Sequence, residues 1–381
     1  MKDRYFGYAF AMLVVAGMTP VAQADDTSDF YFQQVIERYF EYPQNARTFG
    51  MAGSSVMTST DSSSIVGNPA GLGFMRGGEF SGSYGYSRTS GTEFPTGENV
   101  TAVRNAGSGM LALPLGPTLG ALPQFGNLGV AWSEADGRWD NDSFDTLSRR
   151  DQIVVSYAYA INENVSVGYG VGWTRDKFQS KDIVNYPMGD GFKHTLGVSW
   201  QPVERWAFGA TSFVGYGKHS ALYVPGTDGD SRTTEYGSSV GAQYRFDVMT
   251  VAVGSDYRHL HSDGDVESSI PANVVGGDEN GNIFNIRAGV EVPFADWFLL
   301  RGGYRFAGLA TYKYNRSELN DLNGSAYYHA WTLGAGFIIP LSSDYFPELH
   351  VDYGIEYRDV ARDGWEHLLT LSVPIEFCRQ S

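Results

Sequence analysis

From about residue 78 to the C-terminus this chain is written in a two-residue rhythm. In its last run Leu369, Leu371, Val373, Ile375 and Phe377 alternate with Thr370, Ser372, Pro374 and Glu376. Successive side chains of a strand leave opposite faces, so such a ribbon has one oily and one polar surface. Residues 164–177 repeat the pattern, with Val165, Val167, Tyr169, Val171 and Trp173 opposing Ser166, Gly168, Gly170, Gly172 and Thr174. So do residues 347–359, where Leu349, Val351, Tyr353, Ile355 and Tyr357 oppose His350, Asp352, Gly354, Glu356 and Arg358. A water-facing apolar stripe on every strand would aggregate. The oily faces are therefore expected to meet lipid and the polar faces to line a lumen.

Fourteen segments are long enough to cross an apolar band at ~9 to 11 residues each. They are expected at 78–89, 101–113, 124–134, 149–161, 164–177, 191–201, 205–218, 232–246, 248–260, 282–293, 296–311, 325–339, 347–359 and 364–377. Asn162-Glu163-Asn164, Pro202-Val203-Glu204, Asp247 and Ala295-Asp296 would join one set of neighbours tightly. The alternate connections, 135–148, 178–190, 219–231, 261–281 and 312–324, are longer and polar. Short periplasmic turns and long outer loops are the habit of bacterial barrels, although 114–123 and 340–346 are longer than the other turns. The fold class is all-β: an antiparallel transmembrane barrel of fourteen strands over 78–381.

The N-terminus agrees with export. Lys2 and Arg4 precede an apolar stretch centred on Phe10 to Val15, and Ala22-Gln23-Ala24 supplies small residues at the positions a signal peptidase reads. Residues 1–24 are expected to be a signal peptide, because the apolar core is shorter than the ~20 residues a spanning helix needs. Composition fits: 47 Gly, 24 Tyr, 23 Phe and 8 Trp in 381 residues, with a mean hydropathy of −0.25. That is too polar for a helical membrane protein, whereas a barrel needs lipid-facing, lumen-facing and girdle-forming residues together. A formal net charge of −16 argues against nucleic acid as a partner. The single cysteine, Cys378, cannot close an internal disulfide.

The polar faces would bring Arg245, Asp256, Arg258, Arg287, Glu291, Arg301, Arg305, Asp352, Glu356 and Arg358 into the lumen. Both signs occur, and a salt-bridge network supporting the wall is the expected use. Function is more readily placed in residues 44–77, which are too short and Gly-rich for a core of their own. Such a segment orders by packing on something else, and the lumen is the obvious partner. Gly50, Gly53, Gly67, Gly71 and Gly73 permit close backbone approach, and Asn68-Pro69 favours a turn.

An Ala-Arg-x-x-Gly-Met-Ala-Gly block at 46–53, a Ser/Asp-rich spacer and then Asn68-Pro69-Ala70-Gly71-Leu72 ahead of a barrel resembles the FadL/TodX family of outer-membrane transport proteins. The resemblance implies a luminal plug, or hatch, at 44–77, with Asn68, Pro69, Ala70 and Gly71 as the hatch motif. It further implies passive uptake of long-chain fatty acids or other hydrophobic compounds, a place in the outer membrane among its lipid and lipopolysaccharide, and insertion by the barrel-assembly machinery. Two features depart from it. Residues 25–43 form an extension whose Phe32, Ile36, Tyr39 and Phe40 would share one side of a short helix, a periplasmic lid or lumen-packing helix, with a poorly ordered tail as the alternative. The chain also runs four residues past Phe377.

A hydrophobic ligand needs an apolar pocket with a few polar groups. The candidates are Phe49, Met51, Met57 and Phe74 from the hatch, with Arg301 or Arg305 receiving a carboxylate bidentately. No catalytic or metal-binding set and no cofactor is expected. His194, His219, His259, His261, His329, His350 and His367 mostly sit near predicted outer loops, without ligand spacing, and no Gly-x-Ser-x-Gly elbow occurs. A monomer is expected. The alternative reading is a porin-like channel or an outer-membrane scaffold of the same fold.

Overall fold

The computed structural model describes residues 45–92, 99–115, 126–140, 145–180, 188–221, 228–267, 277–316, 322–359 and 363–376. The expected signal peptide, the 25–43 extension, Phe377 and Cys378 lie outside them.

Fourteen antiparallel strands close on themselves, each paired with its neighbours in sequence and the first with the last. They are β1 (Gly78–Thr92), β2 (Asn99–Pro114), β3 (Asn127–Asp140), β4 (Asp145–Ala160), β5 (Val165–Ser180), β6 (Met188–Val203) and β7 (Trp206–Ala221). The second half holds β8 (Asp228–Arg245), β9 (Thr250–Glu267), β10 (Gly277–Ala295), β11 (Phe298–Arg316), β12 (Leu322–Pro340), β13 (Glu348–Arg358) and β14 (Asp363–Ile375). Closure removes every unpaired edge, which is what lets strands stand in hydrocarbon. No described helix is long and apolar enough to cross a membrane. The rim holding Gly78 and Ile375 is called proximal here, and the opposite rim distal.

The alternation separates inside from outside as its period requires. Leu369, Leu371, Tyr353, Val167 and Tyr169 stand exposed on the outer surface, while Asp352, Glu356, Ser166 and Thr370 are buried within. The proximal end of the outer face carries stacked rings, among them Trp200, Trp206 and Phe208, and Trp297, Phe298 and Phe337, the girdle expected at a membrane interface.

One expectation is corrected. The connections do not sort into short and long sets, because the strands run on into the polar distal segments. β9 reaches Glu267 and β11 reaches Arg316, where the apolar alternation had ended near 260 and 311. The cause is that hydrophobic alternation marks only what faces lipid, whereas the backbone ladder continues wherever neighbours are in register. Arg175↔Asp190 and Lys177↔Met188 are paired in this way beyond the last alternating positions.

Residues 45–77 lie inside the barrel. Helix α1 (Ala46–Gly50) and single 3₁₀ turns at Val56–Thr58, Ser62–Ile65 and Pro69–Phe74 touch the inner faces of most of the strands. Ile65 and Leu72 pack with Met110, Ala112, Ala131, Val154 and Ala158 of β2–β4, and Ala46 and Phe49 pack with Leu368 of β14.

Candidate ligand cavity above the plug

The plug is shaped by short polar residues that cap its turns. Asn45 caps α1 by accepting from Arg47 N at 2.7 Å. Asp61 caps the second 3₁₀ turn through Ser63 N at 2.9 Å. After α1 the chain reverses through Ala52 (φ 54°) and Gly53 (φ 74°); the left-handed region suits Gly53 and is uncommon for alanine. The reversal is held by Gly53 N donating to Thr48 O at 2.8 Å.

Each residue of the Asn68-Pro69-Ala70-Gly71 motif has a steric or hydrogen-bonding reason. The Asn68 side-chain oxygen accepts from Ala70 N, and Pro69 follows at the first helical position, where its missing N–H costs nothing. The Asn68 side-chain nitrogen Nδ2 donates to Met57 O at 2.8 Å, to Val198 O at 3.1 Å and to Ser199 Oγ at 3.0 Å. One buried side chain thereby joins two turns of the plug to β6. A Cβ added at Gly71 would lie 2.1 Å from Ser59 O, and one added at Gly168 would lie 2.4 Å from Ala70 N.

Gly168 is one of a set of inward glycines that let the plug backbone approach the wall. Added Cβ atoms would come within 1.8 Å of Met57 O at Gly209, 2.2 Å of Asn68 Oδ1 at Gly197 and 2.4 Å of Ile65 at Gly129. Gly289 and Gly303 receive Met51 in the same way. Around the circumference the plug is tied by Ala46 N to Thr370 Oγ1 at 2.7 Å, Thr332 Oγ1 to Gly50 O at 2.9 Å and Ser156 Oγ to Ile65 O at 2.7 Å.

The luminal charges form a network, as expected of them. Arg301 donates to Glu291 at 2.8 Å and to Asp352 at 2.5 Å. Arg358 reaches Glu356 at 2.6 Å and also pairs with Glu366. Arg305 pairs with Glu356, Arg287 with Asp256, and Arg258 with Glu235 at 3.3 Å. Arg245 is exposed near the proximal rim.

On the distal side of the plug a cavity of about 130 Å³ remains. Phe49, Ala52, Val56, Met57 and Val66 of the plug give it an apolar boundary; Phe213, Lys193, Arg258, Arg287, Arg305, Asn285, Asp256 and Glu356 of the wall contribute to the rest. The Lys193 ammonium lies 4.2 Å from the centre of the Phe213 ring and the Arg258 guanidinium 4.9 Å from it, both within cation–π range. Asn285 Oδ1, Arg287 Nε and Arg305 Nε are buried without a hydrogen-bond partner, a state that costs ~1–3 kcal/mol per group. Charged groups of both signs and unsatisfied polar groups thus collect on the wall while the plug supplies oil.

Of the ligand-contact candidates named from sequence, Phe49, Met57 and Arg305 line this cavity. Met51 does not: it is buried against Gly289 and Gly303. Phe74 ends the last 3₁₀ turn, away from the lining residues. Arg301 is enclosed by Glu291, Asp352 and the plug backbone at Gly50, so its guanidinium is committed and cannot receive a carboxylate in the cavity. Lys193, Phe213 and Arg258 went unnamed as ligand contacts. Phe213 left a trace in the sequence, an aromatic residue out of phase on the polar face of β7. The histidines also sit differently from expectation, since His194, His329 and His367 stand on the outer face of strands, each bonded to a tyrosine.

No family model and no curated protein matches the sequence. Among solved structures, a FadL homologue of Pseudomonas aeruginosa superposes with a TM-score of 0.61 at 15% identity, over 89% of this chain and 99% of that one. The P. putida toluene transporter TodX gives 0.57 at 13% identity, over 89% and 100%. The monoaromatic hydrocarbon channel CymD gives 0.54 at 13%, over 89% and 98%. The identities are low and most of each chain is covered, so this chain shares its barrel fold with the FadL homologue and TodX over 89% of its length.

Proposed function

We propose that this protein is an outer-membrane transporter of the FadL/TodX type, with its proximal rim in the periplasm, and that it passes small hydrophobic compounds inward without chemistry. The fold likeness to a FadL homologue, TodX and CymD supports that class. The observation that carries the reading is the cavity: apolar where the plug bounds it, lined on the wall by ion-paired arginines and carboxylates, and closed from the proximal side by a segment bonded to the barrel.

Its size bears on the ligand. A dry cavity of ~150 Å³ accepts a benzene ring, so about 130 Å³ suits a single ring or the end of an acyl chain. A whole long-chain fatty acid needs the plug or wall to move. Arg258 and Lys193 flank the Phe213 ring, so a ligand bearing a carboxylate would share Arg258 with Glu235 while its ring or chain lies against Phe49 and Met57. A plug seated in the bore disfavours the porin-like alternative.

The test is equilibrium binding of benzoate, toluene and oleate to the purified protein, with R258A as comparison. Benzoate affinity should fall about tenfold in the variant, as expected for losing a charged hydrogen bond, while toluene changes less than twofold. Absence of saturable binding for all three, together with a large steady conductance in planar bilayers, would overturn the transporter reading in favour of an open channel.

A further inference from the structure

Buried asparagines have a visible use elsewhere in this barrel. Asn68 ties the plug to β6, and Asn127 of β3 donates from Nδ2 to Met75 O of the plug at 3.0 Å. Asn285 of β10 does neither. It is 1% exposed, it lines the cavity, and its Oδ1 accepts a hydrogen bond from no described residue. A buried amide oxygen in that state costs ~1–3 kcal/mol. No tie to the plug explains its presence, so the structural use made of Asn68 and Asn127 does not extend to Asn285.

Its neighbours share the condition. Arg287 is the next inward residue of β10 on the proximal side, and Arg305 of β11 stands directly opposite Arg287. Both guanidinium groups are occupied at their outer nitrogens. Arg287 pairs through Nη2 with Asp256, the residue opposite Asn285 on β9, and donates from Nη1 to Gly53 O of the plug at 3.1 Å. Arg305 pairs through Nη2 with Glu356. The Nε–H of each arginine is buried and unpartnered among the described residues. One acceptor and two donors without partners thus stand on adjoining inward positions of β10 and β11, in the cavity whose plug side is formed by Phe49 and Met57.

We infer that this end of the cavity takes a hydroxyl group and that the ligand is a phenol, a single ring carrying one neutral OH. A hydroxyl donates once and accepts twice, so one oxygen answers Asn285 Oδ1 and both Nε–H groups together. The χ2 torsion of asparagine has a broad well, and rotation about it turns the amide onto the ligand. A bare hydrocarbon answers none of the three groups. A carboxylate answers the donors alone, and it adds a buried charge beside cations that Asp256 and Glu356 already neutralise, at a desolvation cost that a neutral hydroxyl avoids. The ring follows from the volume, since about 130 Å³ is close to the ~150 Å³ that holds benzene. The inference rests on the cavity being the ligand site proposed above, and adds the polar group that the ligand presents there.

The experiment is equilibrium binding of p-cresol, toluene and p-fluorotoluene to the full-length protein in detergent, with N285L as a variant of similar side-chain size. The fluoro compound is close to p-cresol in shape and cannot donate a hydrogen bond. Wild type should bind p-cresol at least as tightly as p-fluorotoluene, although water retains the phenol more strongly. N285L should lower the ratio of p-cresol to toluene affinity about tenfold through weaker p-cresol binding, the loss expected of about one hydrogen bond. Because Oδ1 has no bond to lose in the ligand-free protein, urea unfolding of N285L should show a stability no lower than wild type. Wild-type affinities that follow hydrophobicity alone, or an unchanged ratio in a folded N285L, would overturn the inference and leave the transport reading standing. A marked loss of stability in N285L would also overturn it, by showing the amide bonded within the protein. No saturable binding of any of the three would remove the cavity as the ligand site, and the inference with it.

Discussion

Arg47 of the plug grips Glu291 of β10 with two hydrogen bonds, Nε to Oε2 at 3.1 Å and Nη2 to Oε1 at 2.9 Å. Glu291 is held from its other side by Arg301, which also holds Asp352. The carboxylate beside it pushes the Arg47 guanidinium above the ordinary arginine range, so Arg47 stays charged wherever the protein is folded. Arg47→Ala should loosen α1 by ~1 kcal/mol or less, because its side chain is 45% exposed and screened by solvent. Glu291→Gln should cost more, since it leaves the buried Arg301 with one carboxylate in place of two. Hydrogen exchange across residues 46–55 checks both, and an unchanged profile in Glu291→Gln would show that the pair does not anchor the plug.

Asn68→Ala should cost ~1–3 kcal/mol by leaving buried carbonyl groups at Met57 and Val198 without their donor. Asn68→Asp should do no better, because a carboxylate cannot donate to them. Limited proteolysis of the plug, with the barrel itself resistant, is the measurement; wild-type resistance in both variants would contradict the assignment.

Gly209→Ala and Gly107→Ala make a matched pair. At Gly209 the new methyl would sit 1.8 Å from Met57 O, whereas at Gly107 nothing lies within 4 Å. The first should destabilise by ~1–3 kcal/mol through overpacking and the second by no more than ~0.5. Urea unfolding from detergent micelles separates them.

Ser239 lines the cavity and is 8% exposed. Ser239→Phe should fill much of the free space and abolish benzoate and toluene binding together while the barrel remains folded by circular dichroism. Retained toluene affinity would place the ligand elsewhere.

The barrel was legible because lipid imposes a period on each strand: all fourteen ribbons, and the facing of Tyr353 against Asp352, follow from alternation alone. The distal strand ends were not. Met188, Gly189 and Asp190 lie ahead of the β6 segment expected from 191 and carry no hydrophobic rhythm, and only backbone pairing with β5 shows them to be strand. Phe49 and Met57 could be named because a Gly-rich plug has few apolar side chains to choose from. Arg301 was misread because which carboxylates surround an inward arginine depends on register and on the plug's path. The clue that went unused was phase: Phe213, Leu368 and Met110 are apolar residues on polar faces, and all three are buried inside.

The strands are unequal in a way that shapes the mouth. β10, β11 and β12 have 19 residues each, while β13 has 11. At ~3.3 Å per residue and a tilt near 40°, the former stand about 20 Å taller than the latter. Among the described residues the wall is thus lowest at β13, a notch between the tall β10–β12 flank and β14.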